Sequence, residues 1–223
     1  MLATIPVDWH SIQTVFLDMD GTLLDLHFDN HFWLEHLPQK YANQNNISTQ
    51  EASDILLQHA DSRAGSLDWY CLDHWAQTFD MNIVELKHEI AHKIVIRKNV
   101  IAFLKHLRTL DKRIVLLTNA HRDSIKLKFS YVEIEDHFDE VITSHDIGLA
   151  KEQEGFWQKL GQYETFNKNH SLFIDDNEDV LNNAKRFGIK QLLTISQPDS
   201  QKPMKASQDY LSVTDYQQII HPL

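Results

Sequence analysis

The sequence holds a single cysteine, Cys71, in 223 residues. No internal disulfide can form, and a reducing compartment is expected. Cys71 has no base beside it and reads as a buried or half-buried apolar residue. No apolar run approaches the ~20 residues that a membrane-spanning helix needs. Met1 to Trp9 lack the basic patch and apolar segment of a signal peptide. These readings favour a cytoplasmic protein with no membrane partner. Positive charge is also scarce: 21 Lys and Arg stand against 32 Asp and Glu, a formal net charge of −11. A nucleic-acid partner is excluded, because it requires a basic face. A small phosphorylated substrate is not, since a metal ion and a few local cations reverse the field inside a cleft. There is no internal repeat and no low-complexity tract. Two sequons, Asn46-Ile47-Ser48 and Asn169-His170-Ser171, are expected to be silent in such a compartment. Nothing in the sequence separates a monomer from a homodimer.

What the sequence does have is the stretch Asp18-Met19-Asp20-Gly21-Thr22-Leu23-Leu24-Asp25. It follows Thr14-Val15-Phe16-Leu17, a short β-branched and apolar run that reads as a buried strand. Two acids one residue apart at a strand end repel unless something positive sits between them. A divalent cation with oxygen ligands is the simplest remedy, and Mg²⁺ suits it best. Asp and Gly are also ordinary turn residues, so the rest of the chain has to decide.

From about Asp29 to Lys93 the character changes to helical spacing rich in His, Trp and Tyr. Phe32, Trp33, Leu37 and Tyr41 suit one helix, and Ser48 with Glu51 opens a second as a capping box. Leu67, Tyr70, Cys71, His74 and Trp75 mark a third, and Ile83, Leu86, Ile90 and Ile94 a fourth. Beyond it, strands are expected at 113–117, 138–143, 171–174 and 191–195, alternating with helices at about 100–107, 124–131, 152–160 and 180–187. The tail from Ser196, with Pro198 and Pro203, reads as a wrapped, partly irregular segment. Alternating apolar strands and helices mean an α/β fold, a Rossmann-like, doubly wound parallel sheet. Residues 1–25 and 97–223 are expected to form this core, with residues 26–96 as an all-helical insertion. Sites in such sheets lie beyond the strand C-termini.

The chemical residues fall there. Asp18 and Asp20 end the first strand, Thr118-Asn119 the second and Asp175-Asp176 the fourth, while Lys151 follows the third. Each has a bland reading: a helix cap for Thr118-Asn119, a solvated lysine for Lys151, a turn for Asp175-Asp176. Their recurrence in order at four strand ends is what points to a site. The set suits phosphoryl transfer. One carboxylate serves as nucleophile and a second carries the proton. Hydroxyl, amide and ammonium hold the phosphoryl oxygens, and a metal neutralises charge.

Asp18-Met19-Asp20-Gly21-Thr22, Leu117-Thr118-Asn119, Lys151 and Phe173-Ile174-Asp175-Asp176 resemble the four motifs of the haloacid-dehalogenase-like (HAD) hydrolase superfamily. The resemblance implies that Asp18 is the nucleophile and Asp20 the acid/base. It implies that Thr118, Asn119 and Lys151 bind substrate, and that Asp18, Asp20 through its main-chain oxygen, and Asp176 hold Mg²⁺. Thr22 and Asp175 support them. An acid at position 20 points to phosphatases, since dehalogenases of the superfamily lack one. The helical insertion resembles the family's mobile cap. Phe28 to Trp33, Asp68 to Asp73 and Leu116 to His121 further resemble bacterial GMP/IMP 5′-nucleotidases of this superfamily, implying a purine nucleoside monophosphate as substrate. One departure is visible. The lysine motif of that group usually reads P-K-E-D, whereas this chain has Ala150-Lys151-Glu152-Gln153, which removes a stiffening proline and a supporting acid.

Other readings stand beside this one: a sugar-phosphate phosphatase or phosphomutase of the same fold, and a non-catalytic binding module. His88-Glu89-Ile90-Ala91-His92 also matches the H-E-x-x-H pattern of zinc peptidases, although no third ligand is well placed. Trp33, Trp69, Tyr70 and Trp75 can stack on a base, but aromatics at helical spacing are more often core. Trp69 and Tyr70 are the better candidates for substrate contact. Arg63 could reach a nucleotide or be solvated, and His121 could touch substrate or cap a helix.

Overall fold

The computed structural model describes residues 4–220; the outer ends of the expected core segments, residues 1–3 and 221–223, lie outside the described residues. Six strands form one parallel sheet in the order β3-β2-β1-β4-β5-β6. They are β1 (Thr14–Leu17), β2 (Arg113–Thr118), β3 (Glu140–Thr143), β4 (Ser171–Ile174), β5 (Gln191–Ile195) and β6 (Leu211–Val213). β1 is central, with Leu17 aligned to Leu116 on one side and to Ile174 on the other. Its four residues are all buried, because both faces of the sheet are covered, and Val15, Phe16 and Leu17 make the continuous apolar run that such a strand requires. Val15 and Leu17 belong to one core cluster, Phe16 to the other. Among the described residues no helix is long and apolar enough to cross a membrane.

Between β1 and β2 every regular element is helical: α1 (His27–His31), α2 (Leu37–Asn45), α3 (Thr49–Asp61), α4 (Leu67–Tyr70), α5 (Leu72–Phe79) and α6 (Ile83–Glu89). The core continues with α7 (Val100–Thr109), α8 (Arg122–Tyr131), α9 (Ser144–Ile147), α10 (Phe156–Leu160) and α11 (Glu178–Phe187). The insertion leaves and rejoins the core side by side. Leu24 bridges Ile96, Asp25 N donates to Val95 O at 2.9 Å, and Arg97 N donates to Leu23 O at 2.9 Å. Asp25 sits at this crossing and accepts from His27 N at 2.9 Å and Ser200 N at 3.1 Å through Oδ1.

Four local features depart from the sequence expectations, each for an identifiable reason. The expected first helix of the insertion contains a π-helical turn, Phe32–His36, between α1 and α2. Pro38 follows it, and a proline ring clashes with the carbonyl four residues back unless the helix widens locally. The third helix is broken at Cys71, whose backbone is extended at φ −85, ψ 108. The helix expected over 152–160 begins only at Phe156, because Gly155 precedes it at φ +86. The tail contributes β6, paired to β5 from Leu193↔Leu211 to Ile195↔Val213. It is only three residues long, with Leu211 exposed and Val213 buried, too short for any periodicity to show.

One face of the sheet is closed by Trp157 of α10, which meets Phe16, Phe173 and Phe166 edge-on and stacks on Phe187. Trp157 is 1% exposed. Trp157→Ala is expected to destabilise the protein by ~3–5 kcal/mol, the usual scale for emptying a large aromatic from a core. Urea unfolding checks this, and a loss under ~1 kcal/mol would mean that the cluster repacks.

Candidate active site

The parallel register brings the C-terminal ends of β1, β2 and β4 to one level, and the residues just beyond them line a single cavity of about 330 Å³. Asp18, Asp20, Thr118, Asn119, Lys151, Asp175 and Asp176 all face it; of the expected site residues only Thr22 is not on its wall. Thr22 is fully buried and its hydroxyl has no hydrogen-bond partner among the described residues, while its carbonyl accepts from the Tyr216 hydroxyl at 3.1 Å.

Lys151 lies at the centre. Its ammonium donates to Asp18 Oδ1 and Asp175 Oδ2, both at 2.6 Å, and to Leu117 O at 3.1 Å. Burial works against its charge, but the two carboxylates outweigh burial and hold its pKa above the ordinary lysine value. All three ammonium protons are thus engaged, and a phosphoryl oxygen must replace one of these acceptors. The turn that presents Lys151 is built without the proline and acid of the expected motif. Gln153 Oε1 accepts from Ala150 N at 2.7 Å, and Asn183 Nδ2 donates to Lys151 O at 2.7 Å and Gln153 O at 2.8 Å. Replacing proline by Ala150 adds a backbone N–H to the turn, and Gln153 supplies the acceptor for it.

Asn119 braces the same turn. Its Oδ1 accepts from Lys151 N at 2.9 Å and its Nδ2 donates to Glu152 Oε2 at 2.9 Å. Glu152 Oε1 in turn accepts from the Tyr70 hydroxyl of the insertion at 2.8 Å. Both ends of the Asn119 amide are committed to position, whereas Thr118 Oγ1 accepts only from Ala120 N at 3.1 Å and keeps its own proton to donate.

The acids are strongly perturbed. Burial raises Asp18 to about 6 against the pull of Lys151, and raises Asp20 to about 6 against the pull of Lys128. Burial, then Asp175 and Asp18 nearby, push Asp176 well above the carboxylate range. Carboxylate oxygens of Asp18, Asp175 and Asp176 all lie within 4.8 Å of one another. A cluster of desolvated oxygen donors short of positive charge fits a hard divalent cation such as Mg²⁺. Gly21 keeps that cluster open. Its φ is +82, and a Cβ there would stand 2.5 Å from Asp176 Oδ2.

Other expected residues separate cleanly. Trp69 and Tyr70 line the cavity together with Trp33. Trp75 is core instead, 2% exposed and packed on Trp33 at 4.7 Å between centroids. Arg63 is off the cavity and donates to Ser62 Oγ. His121 caps α8, accepting from Asp123 N at 3.3 Å, and also reaches the cavity wall. The zinc-peptidase pattern does not form. The helix carrying His88 ends at Glu89, His92 lies on the following 3₁₀ turn, and both histidines are exposed. Glu89 is engaged by Lys40 at 2.6 Å and His36 at 3.0 Å. Two residues at the site escaped sequence reasoning altogether, Lys87 and Lys128. Their only signal is that they occupy the buried faces of α6 and α8, in step with Ile83 and Ser124 four residues earlier.

The comparisons agree with this geometry. A family model described as haloacid dehalogenase-like hydrolase matches residues 12–188. The GMP/IMP nucleotidase YrfG of Escherichia coli K12 is 35% identical over 219 residues, covering 98% of this chain and 99% of that protein. The crystal structure of a HAD phosphatase from Thermococcus onnurineus superposes with a TM-score of 0.74 at 23% identity, over 93% of this chain and 95% of that one. L-2-haloacid dehalogenase from Xanthobacter autotrophicus shares the fold at a TM-score of 0.57 and 16% identity, over 85% of this chain and 80% of that one. The fold is thus common to enzymes of different reactions. The chain belongs to the haloacid dehalogenase-like hydrolase family and is a phosphatase within it.

Proposed function

We propose that the chain is a cytoplasmic, Mg²⁺-dependent 5′-nucleotidase that hydrolyses purine nucleoside monophosphates of the GMP/IMP type through an aspartyl-phosphate. The observation that carries the phosphatase chemistry is the convergence of Asp18, Asp20, Thr118, Lys151, Asp175 and Asp176 on one cavity wall. The substrate class is supported by the full-length similarity to a GMP/IMP nucleotidase. It is also supported by the roof of the cavity, where Trp33, Trp69 and Tyr70 of the insertion offer aromatic faces to a base. In this reading residues 26–96 are the cap and residues 1–25 and 97–223 the catalytic core.

The roles follow from the contacts. Lys151 holds Asp18 Oδ1, and we assign Oδ2 to attack on phosphorus. Asp20 gives its proton to the departing ester oxygen, then accepts one from the water that cleaves the aspartyl-phosphate. Thr118 donates its free hydroxyl proton to a phosphoryl oxygen, and Lys151 exchanges one of its acceptors for another. Asp18, the main-chain oxygen of Asp20 and Asp176, with Asp175 behind them, would hold Mg²⁺. When bound, the ion neutralises charge on the phosphoryl group.

Asp18→Asn is expected to leave the fold intact and to lower turnover of GMP and IMP on the order of 10⁴-fold or more, the scale seen when a nucleophile is lost. Phosphate release measures it, and retained activity would remove Asp18 from this role. In a panel of phosphate esters with Mg²⁺, purine nucleoside monophosphates are expected to lead. Sugar phosphates turned over equally well would favour a phosphatase or phosphomutase acting on sugars.

The raised carboxylates also fix the sign of a pH effect. A carboxyl whose folded pKa is raised stabilises the metal-free protein below the ordinary value of 3.8 and loses that contribution as pH rises through about 6. A cation must displace those protons, so it gains most where they have already left. The increase in Tm on adding Mg²⁺ should therefore grow between pH 5 and pH 7.5. Calorimetry checks this, and an increase of equal size at both ends of that range would contradict it.

A further inference from the structure

Lys87 and Lys128 have no part in the chemistry assigned above, yet each is only 1% exposed. Lys87 belongs to α6, the last α-helix of the insertion, and Lys128 to α8 of the core. Asp29, in the first helix of the insertion, stands between them. Its Oδ1 accepts from Lys87 at 2.7 Å and its Oδ2 from Lys128 at 2.7 Å. The Lys128 ammonium also lies 2.6 Å from Asp20 Oδ1. Charges of alternating sign therefore run from the insertion to Asp20. The Lys87 end is seated against aromatic rings, with the ammonium 5.0, 4.7 and 5.5 Å from the centroids of Phe28, Phe32 and Trp33.

A buried ion-pair chain is a poor device for stability alone, because desolvation of its charges offsets most of their attraction. This one also ends on the residue that carries the proton. The last side-chain torsion of an aspartate is broad and roughly two-fold, so an unheld carboxylate would present either oxygen in many orientations. An ammonium beside the buried Oδ1 leaves Oδ2 as the oxygen available to an ester in the cavity.

We propose that Lys128 is a positioning residue that fixes the Asp20 carboxylate for proton transfer, and that Asp29 and Lys87 tie this arrangement to the seating of the helical insertion. The proton carrier is then correctly oriented only when the insertion is in place over the cavity. This rests on the assignment of Asp20 as the acid/base.

The test uses two leaving groups. A nucleoside 5′-oxygen must be protonated as it departs, whereas p-nitrophenolate leaves without a proton. The parameter is kcat/KM, which reports only steps up to leaving-group departure, so the hydrolysis common to both substrates drops out. Lys128→Met is expected to lower kcat/KM for IMP by ~10²-fold, the lower end of what acid catalysis supplies, with a loss under ~5-fold for p-nitrophenyl phosphate. Equal losses on both substrates would reduce Lys128 to a structural role and overturn the inference. Should Lys128→Met fail to fold, Asp29→Asn keeps the shape at the middle of the chain and must show the same split. Lys87→Met should split the substrates in the same direction, and Lys87→Met added to Asp29→Asn should cost no more than ~2-fold beyond Asp29→Asn alone, since both act through one carboxylate. Fully additive losses would detach the insertion from Asp20. Asp20→Ala separates the two levels of the argument. If that variant loses equally on both substrates, the acid/base assignment itself fails; if it splits them and Lys128→Met does not, only the present inference fails.

Discussion

Four carboxylates crowd the end of a parallel sheet, and the rest of the site is an answer to their repulsion. Asp18, Asp20, Asp175 and Asp176 share one cavity wall at a depth where desolvation alone raises their pKa values. Two buried ammoniums oppose them. Lys151 sits between Asp18 and Asp175, and Lys128 sits against Asp20. Were all four ionised, the two ammoniums would leave two negative charges unmatched, the amount a divalent cation supplies. Asp176 is the member without a lysine, and burial with the neighbouring Asp175 and Asp18 raises its carboxyl, so the deficit lies beside the Asp18–Asp175 pair where the carboxylate oxygens approach one another. Gly21 has no freedom in this arrangement, because any side chain there would occupy the space of the Asp176 carboxylate.

Much of this was legible in the sequence because strands and site obey one rule. A strand buried on both faces must be a continuous apolar run, and an open parallel sheet places its chemistry where such runs stop. Val15-Phe16-Leu17 before Asp18, Leu116-Leu117 before Thr118 and Phe173-Ile174 before Asp175 announce both facts at once. The lysines were harder. Lysine is rarely fully buried unless paired, and the partner shared by Lys87 and Lys128, Asp29, lies 58 and 99 positions away in the chain. Local pattern cannot reveal a pairing at that range. The lysine turn was legible in residue type but not in support. The two departures from the expected motif answer each other: Ala150 brings an N–H that proline lacks, and the Gln153 side-chain carbonyl accepts from it.

The helical insertion touches this site from two sides, and the two contacts differ in kind. On the phosphate side, Tyr70 donates to Glu152, which Asn119 holds against the backbone of Lys151. The hydroxyl of Tyr70 is kept neutral there, since burial and the Glu152 carboxylate both raise its pKa. On the acid side, Lys87 and Asp29 lead to Lys128 and Asp20. The first contact joins the partly buried α4–α5 edge of the insertion to the core through a neutral donor, with Asp73 3.6 Å from His121 beside it. Such a hydrogen bond costs little to break and remake in water. The second is largely desolvated, and separating Asp29 of the insertion from Lys128 of the core would strand a buried charge. The physical consequence is an asymmetry: α1 meets the core beside Asp20 through a buried ion pair, whereas the α4 segment bearing Trp69 and Tyr70 meets it beside Lys151 through a neutral hydroxyl. Under the proposed roles, motion of α4 would disturb the contact that is easy to remake and leave the Lys128–Asp20 contact in place.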